Sequence, residues 1–500
     1  NTVSLSGYAF GNCSKLLTVT IGRSMKYLTD DAFKGCYNLV EVINHSSNTT
    51  IVKPNNSDKQ FYYALIITND PDGTATSALR HYENSCVTLA VPGEDGSDDA
   101  SVYLVAYSVD PDKSPGSVEI PVGVTHIRDG VFDSYINIKE VTLPETLQYI
   151  GNEAFSKSGL TSVTIPGNVL GIGNYAFAET KITRLVIQSL KKPTIGVRAF
   201  DAPTLREVSV GDIMANVSTE TFGDAFDGYT KTGGCYYLGN ADNPYVILVK
   251  ADNQRNCILQ SSVKQIANYA FSDCDKLSSI DIPDAVEYIG ASAFASCLSL
   301  YRVKVGSGVT YIGGLAFDDC RKLYEVVNAS AHLNITGDYN NNGGIAANAF
   351  NVIAPGGESI LTIKDGVVFM KRTLAVESSG SFVDTDLYFL IAYDGESSEV
   401  TLPEKVNGQS YRVGEFAFYG RTDVTKIIID KQAIASEQLK VHGAPLYSLA
   451  QNAFFLGNGT ELTIEFSGTE TEWNAIGKYY FTDGTGTWYG TTTVTMNYGA

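Results

Sequence analysis

The sequence predicts a β-rich solenoid, a right-handed superhelix built from coils of 22 or 23 residues. Three observations predict this fold class: a fixed period, a short apolar pattern inside each period, and a proline that ends the pattern. Between Phe271 and Phe317 the same motif begins three times at a spacing of 23 residues. A fixed period of about 20–50 residues is typical of solenoids, in which each repeat is one coil and stacked neighbours supply the core.

Each predicted coil contains a short strand, a stop and a returning segment. The strand alternates apolar and polar residues, as expected where one face is buried, and its apolar residues in the first copy are Leu277, Ile280 and Ile282. Pro283 ends the strand because proline has no N–H to donate to a neighbouring strand. An Ala-Phe pair lies where the chain turns back. We therefore expect Phe271, Phe294 and Phe317 to stack through the core.

We predict one repeat array over residues 1–466 with three interruptions. In these stretches the period is lost, and strand-like runs alternate with turns rich in Asp, Pro and Gly. Such runs are typical of β-hairpins, so the array carries inserted hairpins at about 44–117, 233–256 and 366–393. Residues 467–500 depart from the repeat and are predicted to cap the array, since an open coil would expose its core and its strand edges.

Composition and charge limit the partners. The formal net charge is -19, with 36 basic and 55 acidic residues, so a nucleic acid or an anionic membrane surface is not an expected partner. No run of 18 apolar residues is present, and we expect no membrane insertion. The chain begins inside a repeat, which indicates that its natural start lies upstream and that a signal sequence has been removed.

The repeat also carries a resemblance to a known family. The pattern Ile-Gly-x-x-Ala-Phe-x-x-Cys-x-x-Leu-x-x-Ile-x-Ile-Pro is nearly complete at 266–283 and 289–305. It resembles the BspA-type leucine-rich repeat family of bacterial, and some protist, surface proteins. The stretch from Gly468 to Ile476 is similar to a segment that often closes such arrays in gut bacteria. The resemblance implies a secreted or surface-attached protein, several relatives of which adhere to host matrix proteins or to other cells, and it implies no catalytic residue.

The cysteines follow the repeat. Five of the eight lie three residues after the repeat phenylalanine: Cys13, Cys36, Cys274, Cys297 and Cys320. We expect a ladder of buried free thiols, because cysteine is a good small core residue. Stacked coils would place neighbouring cysteines about 4.8 Å apart, so disulfides within the ladder remain an alternative. Cys235 and Cys257 flank the second predicted insertion and could also form a disulfide.

Motifs for catalysis, cofactors and metals are missing. The sequence has no Gly-x-Ser-x-Gly elbow, no phosphate-binding lysine loop and no His-Glu-x-x-His. The five histidines are far apart in a solenoid and are expected to be isolated polar residues: His45, His81, His126, His332 and His442. Acidic turns at 70–73, 95–99 and 242–243 lack the spacing of a calcium loop. We therefore expect no catalytic residue, no cofactor and no metal.

Tyrosine is abundant, with 30 residues against two tryptophans. Two pairs lie on the predicted insertions, Tyr62-Tyr63 and Tyr236-Tyr237, and are candidate partner-binding residues because exposed aromatic rings favour recognition. The alternative is that these rings cover the sides of the solenoid and its ends.

These observations predict a monomeric, non-enzymatic protein of the cell surface or a secreted one. It would recognise an extracellular protein or glycan, on host matrix or a neighbouring cell, through the solenoid face and its insertions. A passive spacer that presents another domain is one alternative. An enzyme acting on a glycan or a peptide is another.

Overall fold

The computed structural model describes residues 3–57, 59–91, 101–188, 191–378, 381–436, 439–441, 444–479 and 487–499. The chain is a β-solenoid of about 18 turns with almost no helix, which confirms the predicted fold class. It divides into two compact units, of which the first holds residues 1–228 and 239–241 and the second holds 229–238 and 242–500.

One strand of the coil, here called the repeat strand, corresponds to the Leu-x-x-Ile-x-Ile part of the motif. Neighbouring repeat strands pair in parallel and in register, so that Ile280 faces Val303 and Val303 faces Val326. The first unit has the repeat strands Thr18–Ile21, Glu41–Asn44, Ile66–Asn69, Ser117–Glu119, Glu140–Thr142, Ser162–Ile165, Arg184–Ile187 and Glu207–Val210. The second unit has Ser279–Asp281, Arg302–Val305, Glu325–Asn328, Asn351–Ile353, Glu399–Thr401, Lys426–Ile429, Glu461–Phe466 and Thr493–Tyr498.

A second strand of only two residues, here called the return strand, forms separate parallel sheets. The return strands are Ser4–Leu5, Tyr27–Leu28, His126–Ile127, Tyr149–Ile150, Gly171–Ile172, Thr194–Ile195, Gln265–Ile266, Tyr288–Ile289, Tyr311–Ile312 and Arg412–Val413. A glycine follows several of them. At Gly313 a Cβ atom would lie 2.5 Å from the backbone nitrogen of Ala291 in the preceding coil, a distance that real Cβ atoms do not reach. Close stacking of the coils therefore explains the Ile-Gly of the motif.

The predicted phenylalanine ladder is confirmed. The ring centroids of Phe271 and Phe294 are 4.8 Å apart with planes at 9°, and those of Phe294 and Phe317 are 4.9 Å apart with planes at 8°. All three rings are buried. The ring spacing matches the distance between hydrogen-bonded strands, so the rings repeat at the rise of the coil.

Antiparallel hairpins interrupt the coils at three places. Their strands are Leu79–His81, Cys86–Val91 and Ser101–Tyr107 in the first, Thr230–Thr232, Cys235–Leu238 and Ile247–Ala251 in the second, and Leu361–Lys364, Val367–Ser378, Ser381–Tyr393, Leu439–Val441 and Ala444–Leu446 in the third. In each hairpin one strand also pairs in parallel with the next return strand. The register pairs are Leu104 with Ile127, Leu248 with Ile266, and Leu390 with Val413. The hairpins are thus part of the return sheets.

One further coil lies inside 44–117, a stretch that the sequence analysis assigns to an insertion. Ile66–Asn69 pairs in parallel with Glu41–Asn44, and the ring of Phe61 packs 5.4 Å from that of Phe33. Gln60 stands before Phe61 where the motif has alanine, and a long polar turn precedes it, so the period is hidden in the sequence.

The end of the chain has the one α-helix of the described residues, Glu470–Ala475. Thr469 and Glu472 form a reciprocal capping box at its start. Trp473 is buried against Phe466 and Trp488, with ring centroids 5.1 and 5.5 Å away. Short 3-10 helices are Pro111–Lys113, Thr219–Phe222 and Asn341–Gly344. In the part of the chain that the structure describes, no helix has the length and apolar character needed to cross a membrane.

Candidate binding surface

A stack of three aromatic side chains lies on the return sheet of the first unit. Tyr103, His126 and Tyr149 are neighbours in register on three successive parallel strands. The ring centroids of Tyr103 and His126 are 4.4 Å apart, and those of His126 and Tyr149 are 4.8 Å apart, with planes at 23° in both pairs. Tyr149 is 41% exposed. The stack follows from the repeat, since one ring at the same position of each coil places the rings one coil rise apart.

Burial sets the charge state of the stack. Desolvation lowers the pKa of His126 below its ordinary value, so its imidazole is neutral near pH 7. Its Nδ1 atom lies 2.8 Å from the hydroxyl of Thr125. Burial raises the pKa of Tyr103, which keeps its phenol protonated. The stack is therefore an uncharged aromatic strip whose polar groups can both donate and accept hydrogen bonds.

Arg128 joins this stack to a second aromatic group. It follows the return strand His126–Ile127, and its Nη2 atom donates to the backbone carbonyl of Tyr37 at 3.4 Å. Its Nη1 atom is buried and has no hydrogen-bond partner among the described residues. Desolvation lowers the pKa of Arg128, although a guanidinium remains charged in proteins. A buried donor without a partner is rare in native structures and marks a place that deserves a functional explanation.

The second group contains two of the tyrosines predicted from sequence. The ring of Tyr63 packs edge-on against those of Tyr37 and Tyr62, with centroid distances of 5.4 and 5.0 Å. Tyr62 and Tyr63 are half-buried, and Tyr37 is 56% exposed. We name the whole set the aromatic surface, and it consists of Tyr37, Tyr62, Tyr63, Tyr103, His126, Arg128 and Tyr149. A groove of about 370 Å³ runs along the stack of Tyr103, His126 and Tyr149, and Arg128, Asp129 and Gly151 also line it.

The other predicted pair, Tyr236-Tyr237, lies in the second unit, and its two side chains differ in burial. Tyr237 is fully buried and packs against Tyr245 at 5.3 Å, so its ring cannot reach a partner. The expectation for Tyr237 is corrected, because successive residues of a strand point to opposite faces and only one member of the pair faces solvent. Tyr236 is half-buried, and its hydroxyl donates to Asp252 at 3.1 Å.

The other members of the aromatic surface are not among the candidates predicted from sequence: Tyr37, Tyr103, His126, Arg128 and Tyr149. A signal was present for the stack, because residues 103, 126 and 149 are spaced by 23 residues. It was missed because Tyr103 falls inside a predicted insertion and His126 was interpreted as an isolated polar residue. A smaller stack with the same spacing lies in the second unit, where the rings of Tyr288 and Tyr311 are 4.7 Å apart.

Metal ligands do not converge in the described part of the chain, where no group of three or more His, Cys, Asp or Glu side chains could hold an ion. The acidic turn at 95–99 and His442 lie outside the described residues. All five ladder cysteines are free thiols, and all but the half-buried Cys13 are buried. Cys297 donates to the carbonyl of Phe271 at 3.2 Å, and Cys320 donates to that of Phe294 at 3.1 Å.

Comparison with known proteins identifies the repeat. A family model described as the BspA type leucine rich repeat region matches residues 1–63, 112–226 and 249–342 in six copies, which is more than half of the chain. The resemblance expected from the motif is thereby confirmed. No curated protein matches the chain.

Three solved structures are similar at low sequence identity. A leucine-rich repeat protein from Bacteroides ovatus is 21% identical, covers 65% of this chain and 82% of its own, and has a TM-score of 0.27. A leucine rich cell surface protein from Faecalibacterium prausnitzii is 17% identical, with coverages of 57% and 97% and a TM-score of 0.23. The pneumococcal vaccine antigen PcpA is 13% identical, with coverages of 85% and 100% and a TM-score of 0.28.

Proposed function

We propose that this chain, which belongs to the BspA-type leucine-rich repeat family, is a non-enzymatic binding protein that is secreted or attached to the cell surface. Its partner would be an extracellular protein, recognised through the aromatic surface of the first unit. The observation that carries the proposal is the stack of Tyr103, His126 and Tyr149, which Arg128 links to the backbone of Tyr37 in the second ring group. Tyrosine and arginine are enriched at protein interfaces and dominate their binding energy.

The arrangement of the rings favours a protein over a glycan. A sugar stacks on an open ring face, but both faces of His126 are covered, one by Tyr103 and the other by Tyr149. At its centre the stack therefore presents a ring edge instead of a ring face. Rigid tyrosine side chains of this kind supply contact area and hydrogen bonds at low entropic cost, because they have only two side-chain torsions. Because stacking already restricts these side chains in the free protein, the entropic cost of binding is lower still.

Arg128 supplies a charge for specificity. The chain is strongly acidic, and a basic group at the centre of an aromatic surface favours a partner with a carboxylate at the matching position. Covering the site would also remove water from the guanidinium, which makes pairing with a carboxylate important. We expect the partner to present an acidic side chain flanked by apolar ones.

The test is a binding screen of the purified chain against extracellular-matrix proteins and a glycan array. Each saturable hit is then measured with Tyr149→Ala and with Tyr175→Ala. These two tyrosines are both 41% exposed, and only Tyr149 belongs to the aromatic surface. The proposal expects at least a tenfold loss of affinity for Tyr149→Ala and an unchanged affinity for Tyr175→Ala. A hit that survives Tyr149→Ala but is lost with Tyr311→Ala would move the site to the smaller stack in the second unit.

Two alternatives have distinct outcomes in the same experiment. If no protein or glycan binds, the passive spacer that presents another domain becomes the better hypothesis. If a glycan hit is bound through the aromatic surface, the site is retained and the class of partner changes. Turnover of a glycan or peptide that one point substitution abolishes would replace the binding role with an enzymatic one.

A further inference from the structure

Two cysteines outside the thiol ladder face each other in the second unit. Cys235 begins the hairpin strand Cys235–Leu238, and Cys257 lies 22 residues later in the chain. Their sulphur atoms are 2.6 Å apart, and both side chains are buried. Both are thiols in the structure, and their sulphur atoms lie well within the usual distance of an S–H···S hydrogen bond.

The positions of the two cysteines show what a bond between them would join. Cys235 pairs across the hairpin with Ala251. Cys257 follows Asn256, which forms a parallel bridge with Ser279 at the start of a repeat strand. Cys257 thus stands one coil before Ile280 and occupies a core position of the array. Both cysteines belong to the same core cluster as Phe271 and Cys274.

The ladder cysteines have a different environment. Cys297 and Cys320 are also buried and one coil apart, but each sulphur atom donates to a backbone carbonyl of the preceding coil. These two ladder thiols thus each have a carbonyl acceptor at 3.2 and 3.1 Å. In the pair formed by Cys235 and Cys257 the sulphur atoms are aimed at each other. A metal bridge is not supported, since no third ligand group joins them among the described residues.

We propose that Cys235 and Cys257 form a disulfide that fastens the second hairpin to the first coil of the following array. The oxidant is a thiol–disulfide compound of the compartment in which the protein folds. The Cys235 thiolate attacks one sulphur of the oxidant and releases one thiolate. Cys257 then loses its proton and attacks the Cys235 sulphur, which releases the second thiolate. Two protein thiols and one disulfide thus give one protein disulfide and two thiols.

The local electrostatics agree with this order of attack. The hydrogen bond from Cys257 lowers the pKa of Cys235 and favours its thiolate, which is the nucleophile of disulfide exchange. In vivo the bond depends on the extracytoplasmic location of the proposed function, because the cytosol keeps thiols reduced. The pairing itself does not depend on that location, and it is tested with a defined redox buffer.

The experiment is peptide mapping of the full chain refolded in a buffer of reduced and oxidised glutathione. Trypsin cuts after Lys231, Lys250, Arg255 and Lys264, so Cys235 and Cys257 fall on the separate peptides 232–250 and 256–264. The proposal expects these two peptides to be joined without reductant and separate with it. Alkylation of the unfolded, unreduced chain should modify six of the eight cysteines. Eight modified thiols, or a different pair of joined peptides, would overturn the assignment.

A stability measurement gives a second readout. Closing a loop of this length limits the unfolded chain, so reductant should lower the Tm of the wild-type chain by several degrees. The double variant Cys235→Ser, Cys257→Ser should melt near the reduced wild type and should not respond to reductant. Cys297→Ser is the matched control and should keep the response. A wild-type Tm that is the same with and without reductant would count against a disulfide, even if the double variant does not fold.

Discussion

Glu41 and Glu325 hold equivalent positions in the two units. Each is a buried carboxylate at the start of a repeat strand, 2% and 1% exposed, and each accepts from a serine hydroxyl and the next backbone N–H. The donors are Ser77 Oγ at 2.6 Å and Ala78 N at 2.8 Å for Glu41, and Ser359 Oγ at 2.8 Å and Ile360 N at 3.1 Å for Glu325. Both begin the pattern Glu-Val-x-Asn-x-Ser, and the serine that each binds lies just before a hairpin strand, Leu79–His81 or Leu361–Lys364.

Glu325→Gln should destabilise the second unit by about 1.5–3 kcal/mol, because the charged acceptor of several hydrogen bonds is lost in a buried site. The measurement is urea unfolding at pH 7. Glu404→Gln is the control, since Glu404 is exposed and its change should alter the free energy of unfolding by less than about 0.5 kcal/mol. Equal urea midpoints for the two variants would show that the hydrogen bonds accepted by Glu325 do not stabilise the second unit.

Gly313 and Gly314 are adjacent and should respond in opposite ways to alanine. A Cβ atom at Gly313 would lie 2.5 Å from the nitrogen of Ala291, whereas one at Gly314 would meet nothing within 4 Å. Gly313→Ala should destabilise the protein by about 1–3 kcal/mol through overpacking. Gly314→Ala should leave stability unchanged or raise it by about 0.4–1 kcal/mol. Thermal unfolding of the two variants checks the stacking distance of the coils, and similar Tm values would contradict it.

Phe294→Ala should cost about 3–5 kcal/mol, because it removes a fully buried ring from between two stacked neighbours. Phe382→Ala serves as the control, since this ring is 58% exposed. Chemical unfolding of both variants gives the comparison. An unchanged urea midpoint for Phe294→Ala would contradict the register of the ladder.

Burial of Lys322 should make the free energy of unfolding depend on pH. Its side chain is 5% exposed, its Nζ atom donates to the carbonyl of Phe416, and burial lowers its pKa from 10.5 to about 7. Between these two values the unfolded state binds a proton that the folded state does not. Stability from this group therefore rises as pH increases from 7 towards 10, with a slope of at most about 1.4 kcal/mol per pH unit. The nearby carboxylate of Glu415 opposes part of the effect.

Other groups also titrate in this range, so the measurement compares the wild type with Lys322→Met. The free energy of unfolding of the wild type minus that of the variant should increase between pH 7 and pH 9. Lys276→Met is the control, because Lys276 lies at the same repeat position two coils earlier and its side chain is exposed. A difference that stays constant with pH would show that Lys322 is charged in the folded state.

Much of the fold could be predicted from the sequence because each coil repeats the same side-chain pattern. The ladder of Phe271, Phe294 and Phe317 and the stop at Pro283 depend on residue type and spacing alone. The coil that contains Phe61 could not be predicted in this way, because a polar turn of different length separates it from its neighbour. The parallel pairing of Leu390 with Val413 is carried by backbone hydrogen bonds, for which the sequence pattern has no direct signal.

The candidate site was predicted in part. Tyr62 and Tyr63 lie on the aromatic surface, but their neighbour Arg128 comes from a distant part of the chain, and only the fold brings it to Tyr37. The prediction that Tyr237 contacts a partner was wrong, because adjacent residues on a strand point to opposite faces. Tyr237 points into the core and Tyr236 points towards solvent. The spacing of Tyr103, His126 and Tyr149 was available in the sequence, so a search for aromatic residues at the repeat period would have found the stack.

The three hairpins have a consequence for how the chain acquires its structure. Parallel strands one coil apart have no short connection, so forming the first contact between two coils is slow compared with closing a hairpin. Each hairpin here closes locally and then presents a strand, such as Ser381–Tyr393, to which the next return strand adds. We expect each hairpin to be an independent folding nucleus that forms before the coils that follow it in the chain. Pulsed hydrogen exchange should find amides of 381–393 protected before those of 426–429.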